Sequence, residues 1–375
     1  ASSPVAGVLL ALAGVTFSLS RRRAAGALAL AAPAGGVALA LGMLFGDGGV
    51  EPYPAASFVA TMIVMAAFVV ALPPGARRLR IGALVYLGAC LACLAIASPM
   101  GSNVERYAAL LAGPLLVCAH LDAHRGARRA DAIVALALAV IGVWVVWGPV
   151  RETLAVAGNR STSAAYYAPL ERFLAVHASG PVRVEVPLTR SHWEAALLAP
   201  SVSLARGWEK QLEERYDGVL LKPGLTAREY DRWLHTQAVD YVALPDTPLD
   251  PSSAREGRLI AGGLPFLHEL WAGRHWRIYA VAAPTPLLSG PGHLISLGHE
   301  SATLGASDAG SFLLRVHFTP YWTLARGWGC VSEAPGGWTA IDVRAPGTVQ
   351  IAARFSLARA LGLSSPAACR LPRAR

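Results

Sequence analysis

The stretch Ala132–Val150, AIVALALAVIGVWVVWGPV, constrains this chain more than any other. It holds nineteen residues without a charge, bracketed by Asp131 and Arg151. As a helix it would extend ~28 Å, close to the ~30 Å hydrocarbon thickness of a bilayer. Trp144 and Trp147 sit near its C-terminal end, where amphipathic rings favour the headgroup region. Apolar segments joined by short loops precede it, and a sequence of water-soluble character follows.

With 54% hydrophobic and 15% charged residues, the chain is far more apolar than an average soluble protein, in which about 25% of residues are charged. Apolar segments run at about Pro4–Ser20, Ala24–Phe45, Ala56–Leu72, Ile81–Ser98, Asn103–Leu121 and Ala132–Gly148. The net charge of +9 has a local origin. Arg21–Arg23, Arg77/Arg78/Arg80 and Arg125/Arg128/Arg129 lie in alternate loops, opposed by Asp122 and Asp131 alone. Such alternation marks the cytoplasmic side of a membrane protein, so the excess is a topology signal and gives no reason to invoke nucleic acid. The loops at Gly46–Ala55 and Pro99–Ser102 then face outward, as does everything after Arg151.

The expected fold is an α-helical multi-pass membrane domain of about six spans (residues 1–150), in the plasma membrane. An extracytoplasmic α/β layer (151–264) and a β-sandwich (265–375) follow it. Val182–Pro187 and Val239–Leu244 read as strands, and Tyr166–Ala178 and Thr226–Gln237 as helices, the latter opened by a Thr226/Glu229 capping box. FLHELW–AGRH–WRIYAV reads as a hairpin, and several short strands separated by turn residues follow from His293.

Candidate functional residues fall into three groups. Ser102–Glu105 (SNVE) fits a capping box, after which Asn103 and Arg106 share a helix face. They are candidates for binding a lipid phosphate, with Arg106 snorkelling to the headgroups as the plain alternative. In the C-terminal half, His192, Trp193, Arg206 and Trp208 are substrate-binding candidates, the tryptophans as stacking faces for sugars. The alternative is that the tryptophans fill the core and Arg206/Glu209 form an ordinary helix pair. Glu194, Glu209, Asp47 and Glu51 are weak candidates for a catalytic carboxylate.

No phosphate loop, nucleophile elbow or zinc spacing is present in the sequence. His120 and His124 stand at i, i+4 without a further ligand cluster, so no cofactor is assigned and a divalent metal has no support. Cys90, Cys93 and Cys118 fall within predicted spans; Cys330 and Cys369 are the pair able to form a disulfide in an exported domain.

NVERYAALLAGPLL at the outer side of a span, RGWEKQ, and a β-rich end containing HFTPYWTL together resemble actinobacterial polytopic membrane proteins of the GT-C glycosyltransferase type. That resemblance implies transfer of a sugar from a polyprenyl-phosphate donor at the outer membrane face. It also implies a catalytic acid on the first extracytoplasmic loop, which this chain lacks, so the chain reads as a C-terminal portion. The competing expectation is a non-enzymatic transport or envelope-assembly protein whose outer domain binds glycan or a partner.

Overall fold

A computed structural model describes residues 4–21, 24–44, 49–123, 128–207 and 209–363. It divides into two compact units, one of Ala1–Ala157 with Lys210–Arg215, the other of Gly158–Glu209 with Tyr216–Arg375.

The first unit is helical: α1 (Pro4–Arg21), α2 (Ala24–Leu44), α3 (Ala55–Ala71), α4 (Arg77–Ala95), α5 (Glu105–Asp122) and α6 (Arg128–Val156). Apolar helices thus occupy all six expected segments. Among the described residues, three stretches are long and apolar enough to cross a membrane: Arg77–Ala95, Gly101–Asp122 and Asp131–Val156. Val5–Ser20, Ala31–Leu44 and Ala55–Ala71 are shorter apolar helices.

Many large apolar side chains of this unit face outward, unlike those of a soluble bundle. Small side chains such as Ala83, Cys90, Ala108, Ala112 and Ala137 line the buried seam beside a few large ones, Met65, Phe68, Tyr86 and Leu116, while Val59, Ile63, Leu84, Leu110, Leu136, Val143 and Trp147 point outward. Large apolar groups facing out cost nothing when the surroundings are lipid, and small ones let helix backbones approach. On α1, a Cβ added at Gly7 would lie 2.9 Å from the Ala34 carbonyl oxygen of α2.

The connection into α5 differs from the capping box expected at SNVE. Gly101–Val104 is a 3-10 turn, and α5 has no side-chain cap. Ser102 Oγ instead donates to Glu51 Oε1 at 2.9 Å, and Glu105 Oε1 accepts from Thr61 Oγ1 at 3.1 Å. Both side chains are thus engaged by neighbouring segments.

The second unit begins with a short 3-10 turn at Arg160–Thr162 and α7 (Ala164–His177). Then come β1 (Arg183–Glu185), α8 (Glu194–Leu197), β2 (Ser203–Leu204), α9 (Lys210–Tyr216), α10 (Ala227–Thr236), β3 (Tyr241–Pro245), α11 (Ala254–Ala261), β4 (Leu267–Ala272) and β5 (Trp276–Val281). The sheet order is β2-β1-β3-β5-β4, with β2, β1 and β3 parallel and the β5–β4 hairpin antiparallel. The hairpin placed by sequence at the head of the β-domain therefore extends the α/β sheet. The Thr226/Glu229 capping box forms as read, and gives α10 its start.

From Leu288 the chain builds two four-stranded antiparallel sheets. Their strands are β6 (Leu288–Ser289), β7 (Gly292–Leu297), β8 (Ser301–Ala306), β9 (Gly310–His317), β10 (Trp322–Arg326), β11 (Gly329–Ala334), β12 (Trp338–Val343) and β13 (Gly347–Ala353). One sheet runs β10-β13-β8-β7, the other β11-β12-β9-β6. Leu304, Phe312, Leu314, Ile341, Val349 and Ile351 form the core of this β-rich part, as alternation along sandwich strands requires. A short α12 (Leu357–Ala360) follows.

Candidate functional site

The order β2-β1-β3 creates a topological switch point. From β1 the chain goes to one side to form β2, then crosses to the other side to form β3. Loops leaving β1 and β3 at their carboxyl ends diverge there, which is where open α/β sheets bind ligands.

Both loops are tied together by backbone. Arg190 N–H donates to Pro248 O and Asp250 N–H to Leu188 O, each at 2.8 Å, and Thr189 bridges Leu249. Asp250 organises the pair. Its Oδ1 accepts from Ser252 N at 2.9 Å and Ser252 Oγ at 2.6 Å, the hydrogen bonding of an Asx turn. Its Oδ2 lies 3.2 Å from His192 Nε2 and 3.9 Å from Arg190. His192 sits at φ 57°, a left-handed conformation that a non-glycine residue holds only when its surroundings impose it. Trp193, next to it, is 46% exposed.

A hydrogen-bonded rim continues from this pair. Ser191 Oγ and Ser161 Oγ share a bond of 2.7 Å; Ser161 N–H donates to Asn159 Oδ1 at 3.0 Å, and Thr247 Oγ1 donates to the same oxygen at 2.5 Å. Beside Thr247, Asp246 accepts from Tyr166 Oη at 2.8 Å, and His275 Nδ1 lies 2.8 Å from it. Partial burial acts to raise the Asp246 carboxyl, but the bonds from His275 and Tyr166 outweigh it and hold it below its ordinary value. Asp246 is thus an ionised carboxylate with nearly half of its side chain open to solvent.

Several residues singled out from sequence lie elsewhere or are otherwise engaged. Glu194 is buried, with Oε1 accepting from Thr189 N at 3.0 Å and Oε2 from Thr189 Oγ1 at 2.5 Å. Burial pushes its carboxyl up, against those hydrogen bonds. It braces the loop after β1 and is closed to a substrate. Arg206 and the exposed Glu209 both precede α9 and so do not share a helix. Its Nη2 lies 2.8 Å from Glu185 and 2.5 Å from Glu256 and donates to Ser253 Oγ at 3.1 Å, with all three charged side chains sealed from solvent. The local i, i+3 reading is corrected by partners on β1 and α11, which only the sheet brings near. Trp208 lies outside the described residues.

In the helical unit, Arg106 is exposed in the first turn of α5 and Asn103 is half-buried in the 3-10 turn before it, so the two do not lie on one α-helix as expected, while Glu51 accepts the bond from Ser102. Asp47 and His124 lie outside the described residues. His120 Nε2 is 3.0 Å from Asp131 Oδ1, tying α5 to α6. No group of three or more His, Cys, Asp or Glu side chains able to hold a metal occurs among the described residues. Cys90, Cys93 and Cys118 are free thiols and Cys330 is disulfide-bonded; Cys369, its expected partner, lies outside the described residues.

Asp246 and Asp250 are the site residues that sequence reasoning missed. A signal existed: Asp246 directly follows the strand at Tyr241–Pro245, and Asp250-Pro-Ser-Ser has the pattern of an Asx turn. Comparison with family models, curated proteins and solved structures returns no match, so the geometry of this edge carries the functional reading.

Proposed function

We propose that this is a multi-pass plasma-membrane protein that handles a polyprenyl-phosphate-linked sugar at the outer face, in the manner of GT-C glycosyltransferases, and that its C-terminal unit is extracytoplasmic. The carrying observation is the switch-point edge, where exposed Trp193 flanks the His192–Asp250 pair and the bonded rim leads on to the ionised Asp246. An aromatic face beside carboxylate acceptors is the equipment that binds sugar rings and their hydroxyls. Asp246 serves as acceptor for glycan hydroxyls, Arg190 and Trp193 complete the contact, and Asn103 with Arg106 engage the lipid phosphate. The alternation of basic loops supports six crossings, with the three Arg-rich loops inside.

A second reading, a glycan-binding membrane protein without transferase activity, draws on a specific observation. Glu185, Glu194, Glu256 and Asp250 are all buried and engaged, which leaves little acid–base machinery at this edge.

The test uses the full chain in nanodiscs with a radiolabelled polyprenyl-phosphate sugar and soluble oligosaccharide acceptors. Transfer that falls at least tenfold in Asp246→Asn and in Trp193→Ala supports the transferase. Saturable oligosaccharide binding without transfer, lost in the same variants, selects the second reading. Absence of both transfer and binding would reject glycan handling altogether.

A further inference from the structure

A cavity of about 570 Å³ lies within the C-terminal unit, between the segment Ala199–Gly207 and the strands β9 and β12. That volume falls within the range of small-molecule sites. Its ionisable lining consists of three arginines, Arg183, Arg206 and Arg315, and two histidines, His299 and His317, with no Asp or Glu among the described lining residues. Arg206 is held by Glu185 and Glu256, as described above.

Arg183 is in a different position. It is only 7% exposed, its Nη1 donates to Gln237 O at 2.6 Å, and its Nε is buried with no hydrogen-bond partner. Burial pushes the guanidinium down to about 10, Asp240 and Asp217 oppose that, and Arg315 deepens it. Arg315 is itself lowered by desolvation, and its Nη1 donates to Pro286 O at 3.1 Å and Ser289 Oγ at 3.2 Å. Two guanidinium groups that repel each other thus line one cavity whose lining contains no acid, the nearby Asp240 and Asp217 offsetting part of that repulsion from outside the lining. Burying a donor without a partner is costly, and an anion in the cavity would give Arg183 Nε an acceptor and offset its repulsion with the half-buried Arg315. One wall is aromatic: His317 stacks on Trp338 with ring centroids 4.5 Å apart, and behind the lining the Tyr216 and His317 ring centroids are 4.0 Å apart.

We propose that this cavity binds an oxyanion, phosphate or carboxylate, carried on a sugar-sized ligand, with Arg183 and Arg315 holding the anion and Trp338 the ring. The site shares no lining residue with the switch-point edge and stands independently of the function proposed there.

Calorimetric titration of the full chain in detergent with glucose 1-phosphate, glucuronate, inorganic phosphate and glucose tests it. Glucose 1-phosphate or glucuronate should bind and glucose should not, and the tighter of the two identifies the phosphate or carboxylate source. Inorganic phosphate should bind more weakly than the better sugar ligand; equal affinity would overturn the ring contact. Arg315→Gln, on a half-buried strand position that tolerates exchange, should weaken binding by roughly tenfold, with Arg315→Lys recovering part of it. Trp193→Ala and Asp246→Asn should leave it unchanged, which separates this site from the glycan edge. Absence of heat with all three anions, or full affinity in Arg315→Gln, would overturn the proposal.

Discussion

The Arg206 guanidinium lies 2.8 Å from Glu185 on β1 and 2.5 Å from Glu256 on α11, joining two elements about seventy residues apart in the interior of the α/β layer. Removing the cation would leave two buried carboxylates facing each other. Arg206→Met is therefore expected to destabilise the C-terminal unit by about 3–5 kcal/mol, read as a large fall in thermal midpoint. A midpoint within a degree or two of wild type would refute this account of the triad.

Glu194 makes a pH prediction. Its carboxyl is raised in the folded state by burial, so the folded chain binds this proton more tightly than the unfolded one. Stability from this group is present at low pH and declines as pH rises from the ordinary carboxylate value through the folded value. Glu194→Gln keeps an oxygen to accept from Thr189 and removes the titration. Its stability curve should be flatter than wild type in that window, and parallel curves would remove Glu194 as the cause.

Gly101 has φ 37°, and a Cβ there would lie 1.9 Å from the Glu51 carbonyl oxygen. The segment carrying Glu51 is further pinned by Glu51 N–H donating to Ser98 O at 3.0 Å, so it has little room to yield. Gly101→Ala should lower the yield of monodisperse protein and its thermal midpoint, with a cost of several kcal/mol from overpacking and backbone strain. An Ala variant that purifies and melts like wild type would show that this contact is soft.

At the start of α5, Arg106→Ala should weaken binding of a polyprenyl-phosphate analogue more than Arg106→Lys does, because forked donors match a phosphate and charge alone retains part of the attraction. Equal binding by both variants and wild type would make Arg106 an anchor at the membrane interface only.

Topology is checked with reporter fusions. A reporter fused after Gly75 should behave as cytoplasmic and one fused after Gly158 as exported, as the alternation of Arg-rich loops requires. Reversed sidedness at either point would overturn the six-crossing arrangement.

What could be read in advance follows a physical divide. Thr226 and Glu229 cap α10, Val182–Pro187 contains β1 and Val239–Leu244 overlaps β3, because capping and alternation are encoded within a few residues. Interactions set by the sheet were not readable in the same way. Arg206 at i, i+3 from Glu209 suggested a helix pair, yet its partners are twenty-one residues before it and fifty after it in the chain. His192 was visible as a polar–aromatic cluster, but Asp250, fifty-eight positions away, becomes its neighbour only because β1 and β3 are adjacent. At Ser102 the local motif was correct in composition, but Gly101–Val104 forms a 3-10 turn that puts Val104 at the start of α5, and the Ser102 hydroxyl donates to Glu51 instead.

The hairpin that closes the α/β sheet has a consequence for how the chain is made. β3 is hydrogen-bonded on one side to β1 and on the other to β5, which ends at Val281. Until that residue has emerged, a nascent chain displays the open edge of β3, with donors and acceptors ready to pair with any extended segment. Strand pairing across this distance is also slow to find. Synthesis intermediates that stop between Pro245 and Val281 are therefore the forms of this protein most prone to associate. The cell has the strongest reason to shield the growing chain over that interval of about forty residues, which ends before the two antiparallel sheets begin.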